Sequence, residues 1–264
     1  MIINPYQFGV AIDPDAQTFL TASGITDVTI TSAINQLVID LKGYGLWTKC
    51  SAIYPFVGGT STTHKFNLKN PADTNAAFRL VFSGGWTHAS TGATGSVNGY
   101  ATTYVNPSLN LIQDSTHVSY YSRTNPVTIS GADLGVRGAA GLGGITIISR
   151  YTGNLSYYKV NSANNTDLTF ANTNSQGFFM SNRTASNVVN GWKNNTKVVT
   201  GTTASNGLAN QNIVLNAFND NGSIQLYSPR EVAFSTIGNG LNDTESLNLY
   251  TSIQTYQTAL GRQV

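Results

Sequence analysis

The alternation of apolar and polar positions divides the chain into three regimes. The first is helical. In "DPDAQTFLTASG", Asp13 is placed to cap a helix, Pro14 takes its first position, Phe19 and Leu20 share a face, and Gly24 ends it. In "TDVTITSAINQLVIDLKG", Thr26 or Asp27 caps, and Val28, Ile30, Ile34, Leu37, Val38 and Leu41 form a stripe that stops at Gly43. Two capped amphipathic segments in succession predict a helical hairpin. From "AIYPFVGG" onward the pattern shortens to strands at 78–83, 99–105, 117–123, 144–150, 155–160, 177–183, 187–193, 196–201, 212–218 and 230–237. Between them lie polar turns such as "STGATGSVNG", "NSANNTD" and "NDNGS". The third regime is one helix near residue 250. Asn242 and Glu245 have capping-box spacing, with Asp243 and Glu245 at the positive end of the helix dipole. Leu249, Ile253, Tyr256 and Leu260 lie on one face, Gly261 is a C′ residue, and Arg262 stands near the negative end.

About ten short strands with no helix between them predict a mainly β protein, an antiparallel β-sandwich rather than a parallel sheet. The chain has 264 residues, enough for one large all-β domain or two small ones. The break in pattern sets the expected boundaries: an N-terminal helical attachment segment over 1–52 and a sandwich over 53–264. Two readings of the hairpin stand at this point. It packs on the sheet within one domain, or it docks on a partner, and the break in composition favours attachment.

Only 10% of the residues are charged, against roughly a quarter in ordinary soluble domains, and Asn, Thr, Ser and Gly supply the polarity. That suits a rigid scaffold packed into an assembly. A net charge of +2 is too small to argue for nucleic acid or a membrane surface. Cys50 stands alone, which excludes an intrachain disulfide and a CxxC site. The chain holds no apolar stretch of membrane-spanning length, and "MIINPYQFGVAIDPD" lacks the pattern of an export signal. A soluble, non-exported protein is expected. The Asn-x-Ser/Thr triplets at Asn154, Asn164, Asn182 and Asn194 are then turn and strand polarity.

Candidate chemistry is sparse. Glu231 and Glu245 are the only glutamates, and no strand carries the closely spaced acids of a glycosidase. His64, His88 and His117 form no HxH or HExxH pair. "GVRGAAGLGG" (135–144) has many glycines but no Lys, and reads as a flexible connection rather than a phosphate cradle. Trp86 and His88 in "SGGWTHAS" are positioned either to stack on a sugar or to pack at a turn. Tyr120–Tyr121 and Tyr157–Tyr158 put one ring on each face of a strand, the outward ring free for an interface or a sugar.

Two patterns resemble the laminin-G-like, concanavalin A-like jelly roll across residues 53–264. In "SNRTASNVVNGWKNNTKV", Trp192, the Asn194–Asn195 turn and the return through Lys197–Val199 follow that family's order. In "REVAFSTIGNGLNDTESLNLY" a late strand leads into a short helix, which in such folds covers a face or end of the sandwich. The resemblance implies a carbohydrate-binding option at Trp86, His88 and Trp192. It also allows one calcium ion at a rim, with Asp133, Asp167 and Asp220 in suitable loops and no ligand set defined. No other cofactor is expected. The chain is also similar to bacteriophage virion proteins through "DAQTFLTASGITDVTITSAINQLVIDLKGYGLWTKCSAIYPFVGGTSTTHKFNLKNPADTNAAFRLVFSGGWTHAS" (15–90) and the closing "LGRQV". That implies a non-catalytic structural component of the capsid, tail or fibre, made in the host cytoplasm and resident in the virion. Its implied partners are other virion proteins and further copies of itself in a homo-oligomer. The alternative is a carbohydrate- or receptor-binding module for host adsorption, with a host-surface glycan as partner. Neither nucleic acid nor membrane insertion is expected.

Overall fold

The computed structural model describes residues 11–126 and 131–264. The first ten residues of the expected attachment segment, and most of the stretch read for an export signal, lie outside them. The helices in chain order are α1 (Pro14–Ser23), α2 (Val28–Gly43), α3 (Ser61–His64), α4 (Pro107–Asn110) and α5 (Asp243–Ala259). Local chemistry sets their ends. The Asp13 carboxylate accepts from the Asp15 amide at 2.9 Å, and α1 stops at Gly24, whose φ of 69° suits a residue without Cβ. Asp27 rather than Thr26 caps α2, accepting from the amides of Thr29 and Ile30, both at 2.9 Å. At α5 the capping box is closed: the Glu245 amide donates to Asn242 Oδ1 and the Asn242 amide to Glu245 Oε2, each at 2.9 Å.

The strands are β1 (Cys50–Tyr54), β2 (Val81–Ser83), β3 (Trp86–Ala89), β4 (Gly92–Gly95), β5 (Tyr100–Thr102), β6 (Thr116–Ser122), β7 (Leu134–Arg137), β8 (Gly144–Tyr151), β9 (Leu155–Ser162), β10 (Leu168–Ala171), β11 (Gly177–Ala185), β12 (Val188–Lys193), β13 (Thr196–Gly201), β14 (Val214–Leu215), β15 (Phe218–Asp220), β16 (Ser223–Gln225) and β17 (Glu231–Gly238). They make two sheets. The first runs β13-β12-β11-β6-β17-β4-β3, with β1 against the second half of β17. The second runs β10-β9-β8-β7-β14-β5-β2, with β15 and β16 beside β7. The pairings are antiparallel except the short β7–β15 contact. The mainly β sandwich with helices at both ends of the chain is therefore the fold. The β12–β13 hairpin turns at Asn194–Asn195, as its sequence suggested, with Asn194 at a φ of 52°.

Several expected strands are trimmed for identifiable reasons. The 78–83 segment loses its start because Phe78 takes a φ of 60°. The 212–218 segment breaks at Asn216, which is left-handed with a φ of 57°. The buried Asn216 amide donates to the carbonyls of Ser228 and Arg230 and accepts from Tyr120. The glycine-rich stretch is not simply a connection: its first residues form β7 in the middle of the second sheet. Gly135 is needed there because a Cβ would lie 2.3 Å from the Phe218 ring.

The first sheet is apolar on both faces. Val118, Tyr120, Phe179, Val232 and Ile237 meet Leu134, Val136, Ile145, Ile147 and Tyr158 of the second sheet. On the other face, Tyr121, Phe178, Met180, Trp192 and Phe234 pack against Phe19 of α1, Ile34, Leu37, Val38 and Leu41 of α2, and Leu249, Ile253 and Tyr256 of α5. Each such buried side chain contributes about 1.5–3 kcal/mol. The N-terminal hairpin is thus part of the core and not a separate attachment segment. The expected boundary at 52/53 falls inside β1, which pairs with β17.

Arg262 follows the end of α5 and is buried. Its guanidinium donates to the carbonyls of Phe56 and Pro55, each at 2.7 Å, to that of Ala233 at 3.0 Å, and to Gln257 Oε1 at 2.6 Å. The closing residues are thereby tied to β17 and to the loop after β1.

Removal of residues 1–49 is expected to abolish soluble, folded protein, because it uncovers Tyr121, Phe178 and Phe234. Far-UV circular dichroism and gel filtration check this, and a folded monomer from the truncated chain would contradict it. Arg262→Leu leaves buried carbonyls unpaired and should cost about 3 kcal/mol or more, read as a lower urea midpoint.

Candidate functional site

The helices and the sheet–sheet core leave the outer face of the second sheet to bear side chains outward. Along β9, Tyr158 points into the core and Tyr157 outward, as strand alternation requires. Register then sets Ile148 of β8 opposite Tyr157, and Thr146 opposite Lys159. Tyr151 at the end of β8 meets Tyr157 edge to face, with ring centroids 5.8 Å apart. Phe218 of β15 and Ala132 complete an apolar floor with Ile148. The result is a groove of about 280 Å³.

Arg137, Asn164, Gln225, Lys159 and Asp167 of the groove are paired, the first three through or beside Asp220, which lies outside the lining. The Arg137 fork grips Asp220 through Nε to Oδ1 and through Nη2 to Oδ2 at 2.6 Å, while Nη1 donates to Asn164 Oδ1 at 2.7 Å. Gln225 Nε2 donates to the same Asp220 Oδ2 at 2.8 Å. Lys159 Nζ stands 2.9 Å from Asp167 Oδ2. The Arg137 hydrogen bonds hold the Asp220 carboxyl below its ordinary value, against a smaller opposing effect of burial. Aromatic faces beside planar hydrogen-bonding groups can bind a ligand with one apolar face and a hydroxylated edge.

The residues expected to bind lie elsewhere. Trp192 is 5% exposed and packs beneath the helices on the first sheet, so its ring offers no face to a ligand; this corrects the sequence reading. Trp86 and His88 do come together, stacked with centroids 6.0 Å apart, on the opposite edge strand of that sheet. They are half-buried against Phe82, and the Trp86 indole N–H donates to the carbonyls of Ser83 and Tyr100. They hold the β3–β4 hairpin in place. Nor is His88 isolated: its Nδ1 lies 3.0 Å from His64 Nδ1. The Gly59 amide donates to His64 Nε2, so the His64 proton sits on Nδ1 and is given to His88. Burial, then the nearby charges of His88 and Arg262, push His64 down to about 3, and the pair stays neutral near pH 7.

The calcium expectation does not fit the donors. Asp167 and Asp220 are paired with Lys159 and Arg137. Asp133 is fully buried and takes hydrogen bonds from Ser149, Ser228 and Arg230. Among the described residues no group of three or more His, Cys, Asp or Glu could hold a metal ion, and no helix is long and apolar enough to cross a membrane. Glu231 pairs with Arg123, and Glu245 adds an ion pair with Lys49 to its capping role.

No protein-family model matches the chain, and no curated protein sequence matches it. Solved structures share the fold. A mutant Trypanosoma rangeli sialidase displaying trans-sialidase activity superposes with a TM-score of 0.53 at 11% identity, over 86% of this chain and 39% of that one. The binding domain of botulinum neurotoxin DC, solved with rat synaptotagmin II, gives 0.53 at 14% identity, over 79% of this chain and 52% of that one. A botulinum neurotoxin type C structure, described by its dependence on two ganglioside molecules for cell entry, gives 0.53 at 12% identity, over 80% and 52%. The chain therefore spans about half or less of the length of these proteins. It is a β-sandwich of the architecture these structures share.

Arg137→Gln removes the group that depresses Asp220, so the Asp220 carboxyl should return towards its ordinary 3.8. A depressed carboxylate adds stability above its unfolded value and loses it as pH falls through the folded one. The wild-type chain should therefore lose this contribution below about pH 4, and the variant should lack it. Carboxyl-carbon NMR titration reads the shift; an unchanged Asp220 would exclude the clamp as its cause.

Proposed function

We propose that this chain is a non-catalytic carbohydrate-binding module carried by a bacteriophage particle, where it contacts glycan on the host surface. The observation that carries the reading is the groove on the second sheet, with Tyr151 and Tyr157 beside Arg137, Asn164, Asp167 and Gln225. Tyrosine rings stack on the C–H face of a pyranose, and the planar groups match its hydroxyls. The sandwich architecture is also that of a sialidase and of a toxin whose cell entry depends on gangliosides, which supports a sugar as the ligand. The resemblance of residues 15–90 to virion proteins supports the particle as its location. The low charge suits close packing with other virion proteins and with further copies of the chain.

The pairing of the carboxylates supports the non-catalytic reading. Acid-catalysed glycoside hydrolysis needs one carboxyl kept protonated and another ionised. The carboxylates at the groove instead form ion pairs, Asp167 with Lys159 and Asp220 with Arg137.

A glycan array followed by titration calorimetry tests the reading. Tyr157→Ala should keep the fold, because the ring lies outside the main core, and should weaken binding about tenfold or more. Absence of glycan binding in the folded wild-type protein would reject the module. Mass spectrometry of purified particles should detect the chain if it is a virion component.

A further inference from the structure

We infer that the groove is built for neutral sugars and discriminates against sialylated, sulfated and uronic ones. The inference rests on the glycan-binding reading of the same site and adds the class of ligand. Recognition of an anionic sugar calls for an uncommitted cation, most effectively an arginine fork presented to a carboxylate or sulfate. The groove contains two cations, and each is already paired with a carboxylate. All three nitrogens of Arg137 are engaged, two by Asp220 and one by Asn164. Lys159 is 6% exposed, with Nζ on Asp167. Asp167 lines the groove beside Lys159, and Asp220, outside the lining, pairs with Arg137, so each cation has its own carboxylate.

What remains open to a ligand is of the opposite character. Carboxylate oxygens accept from hydroxyl donors, which a neutral pyranose presents around its rim. The faces of the tyrosine rings are electron-rich and repel an anion while accepting a C–H face. An acidic sugar here would have to face Asp167, or draw Arg137 or Lys159 from its carboxylate and leave that carboxylate poorly paired. The fold is shared with a sialidase, but the lining of this groove is not arranged for an acidic sugar.

The test compares matched glycans on the full-length chain: lactose against 3′-sialyllactose, and neutral array members against their sulfated or uronate counterparts. Neutral glycans should bind with little dependence on salt, and an added acidic group should weaken binding about tenfold. Asp167→Asn and Asp220→Asn, made singly and checked for folding by circular dichroism, each release a cation and should raise binding of the acidic member of a pair. Tighter, salt-sensitive binding of acidic glycans by the wild-type chain, lost in Tyr157→Ala, would overturn the neutral-sugar inference and leave the glycan reading intact. Failure of every glycan to bind would overturn the glycan reading itself, and the inference with it.

Discussion

A sheet that is apolar on both faces has to be covered on both. In β6, β11 and β17 the neighbouring residues Tyr120 and Tyr121, Phe178 and Phe179, and Val232 and Ala233 are all buried, although strand alternation sends successive side chains to opposite sides. One side meets the second sheet. The other needs a layer of its own, and α1, α2 and α5 supply it. The two ends of the chain are therefore recruited to the same surface. This is why a change of pattern near residue 50 is not a boundary between domains: the helices and the strands are halves of one apolar contact. β1 follows directly from the hairpin and adds to β17, and β17 leads straight into α5.

The scarce charges are used inside this frame. Arg183, Arg230 and Arg262 are among the largest fully buried side chains. Arg183 reaches from β11 to the Val160 carbonyl of β9 and to the carbonyls of Ala185, Ser186 and Thr203, bridging the two sheets where the ladder ends. Arg230 pairs with the buried Asp133, joining the start of β17 to the start of β7. Arg262 fastens the end of the chain. A buried guanidinium is tolerated when several oxygens meet it, and its fixed fork then sets the relative position of the segments that supply them. These contacts hold main chain in place at points where no sheet pairing does so.

The groove follows from the same layering. Among the described residues the second sheet carries no helical layer, so its outward side chains face solvent. Most such faces are polar. Here Ile148, Tyr157 and Phe218 form an apolar strip, with the Arg137–Asp220 and Lys159–Asp167 pairs beside it. The rigidity of the sandwich beneath, with Tyr158 and Ile147 locked in the core, fixes the spacing of the outward residues between them. The groove is thus preformed, with each of its cations paired to a carboxylate.

What the sequence determined by itself was whatever local chemistry controls. Asp13, Asp27 and the Asn242–Glu245 box cap their helices from side chains two or three residues away, and the Asn194–Asn195 turn closes its own hairpin. The longer strands and the placement of Tyr157 and Tyr158 on opposite faces also follow from period-two alternation. Short strands such as β3, β4, β7 and β16 carry too few residues for a period to show, and they exist because longer neighbours template them. The tertiary structure alone decided which apolar faces met. It buried Trp192 under α5, drew His64 and His88 together across 24 positions, and turned Asp167 and Asp220 from candidate metal loops into the partners of Lys159 and Arg137. It also assembled the groove from β7, β8, β9, β15 and β16, because a binding surface on a sheet is made across strands while sequence patterns run along them.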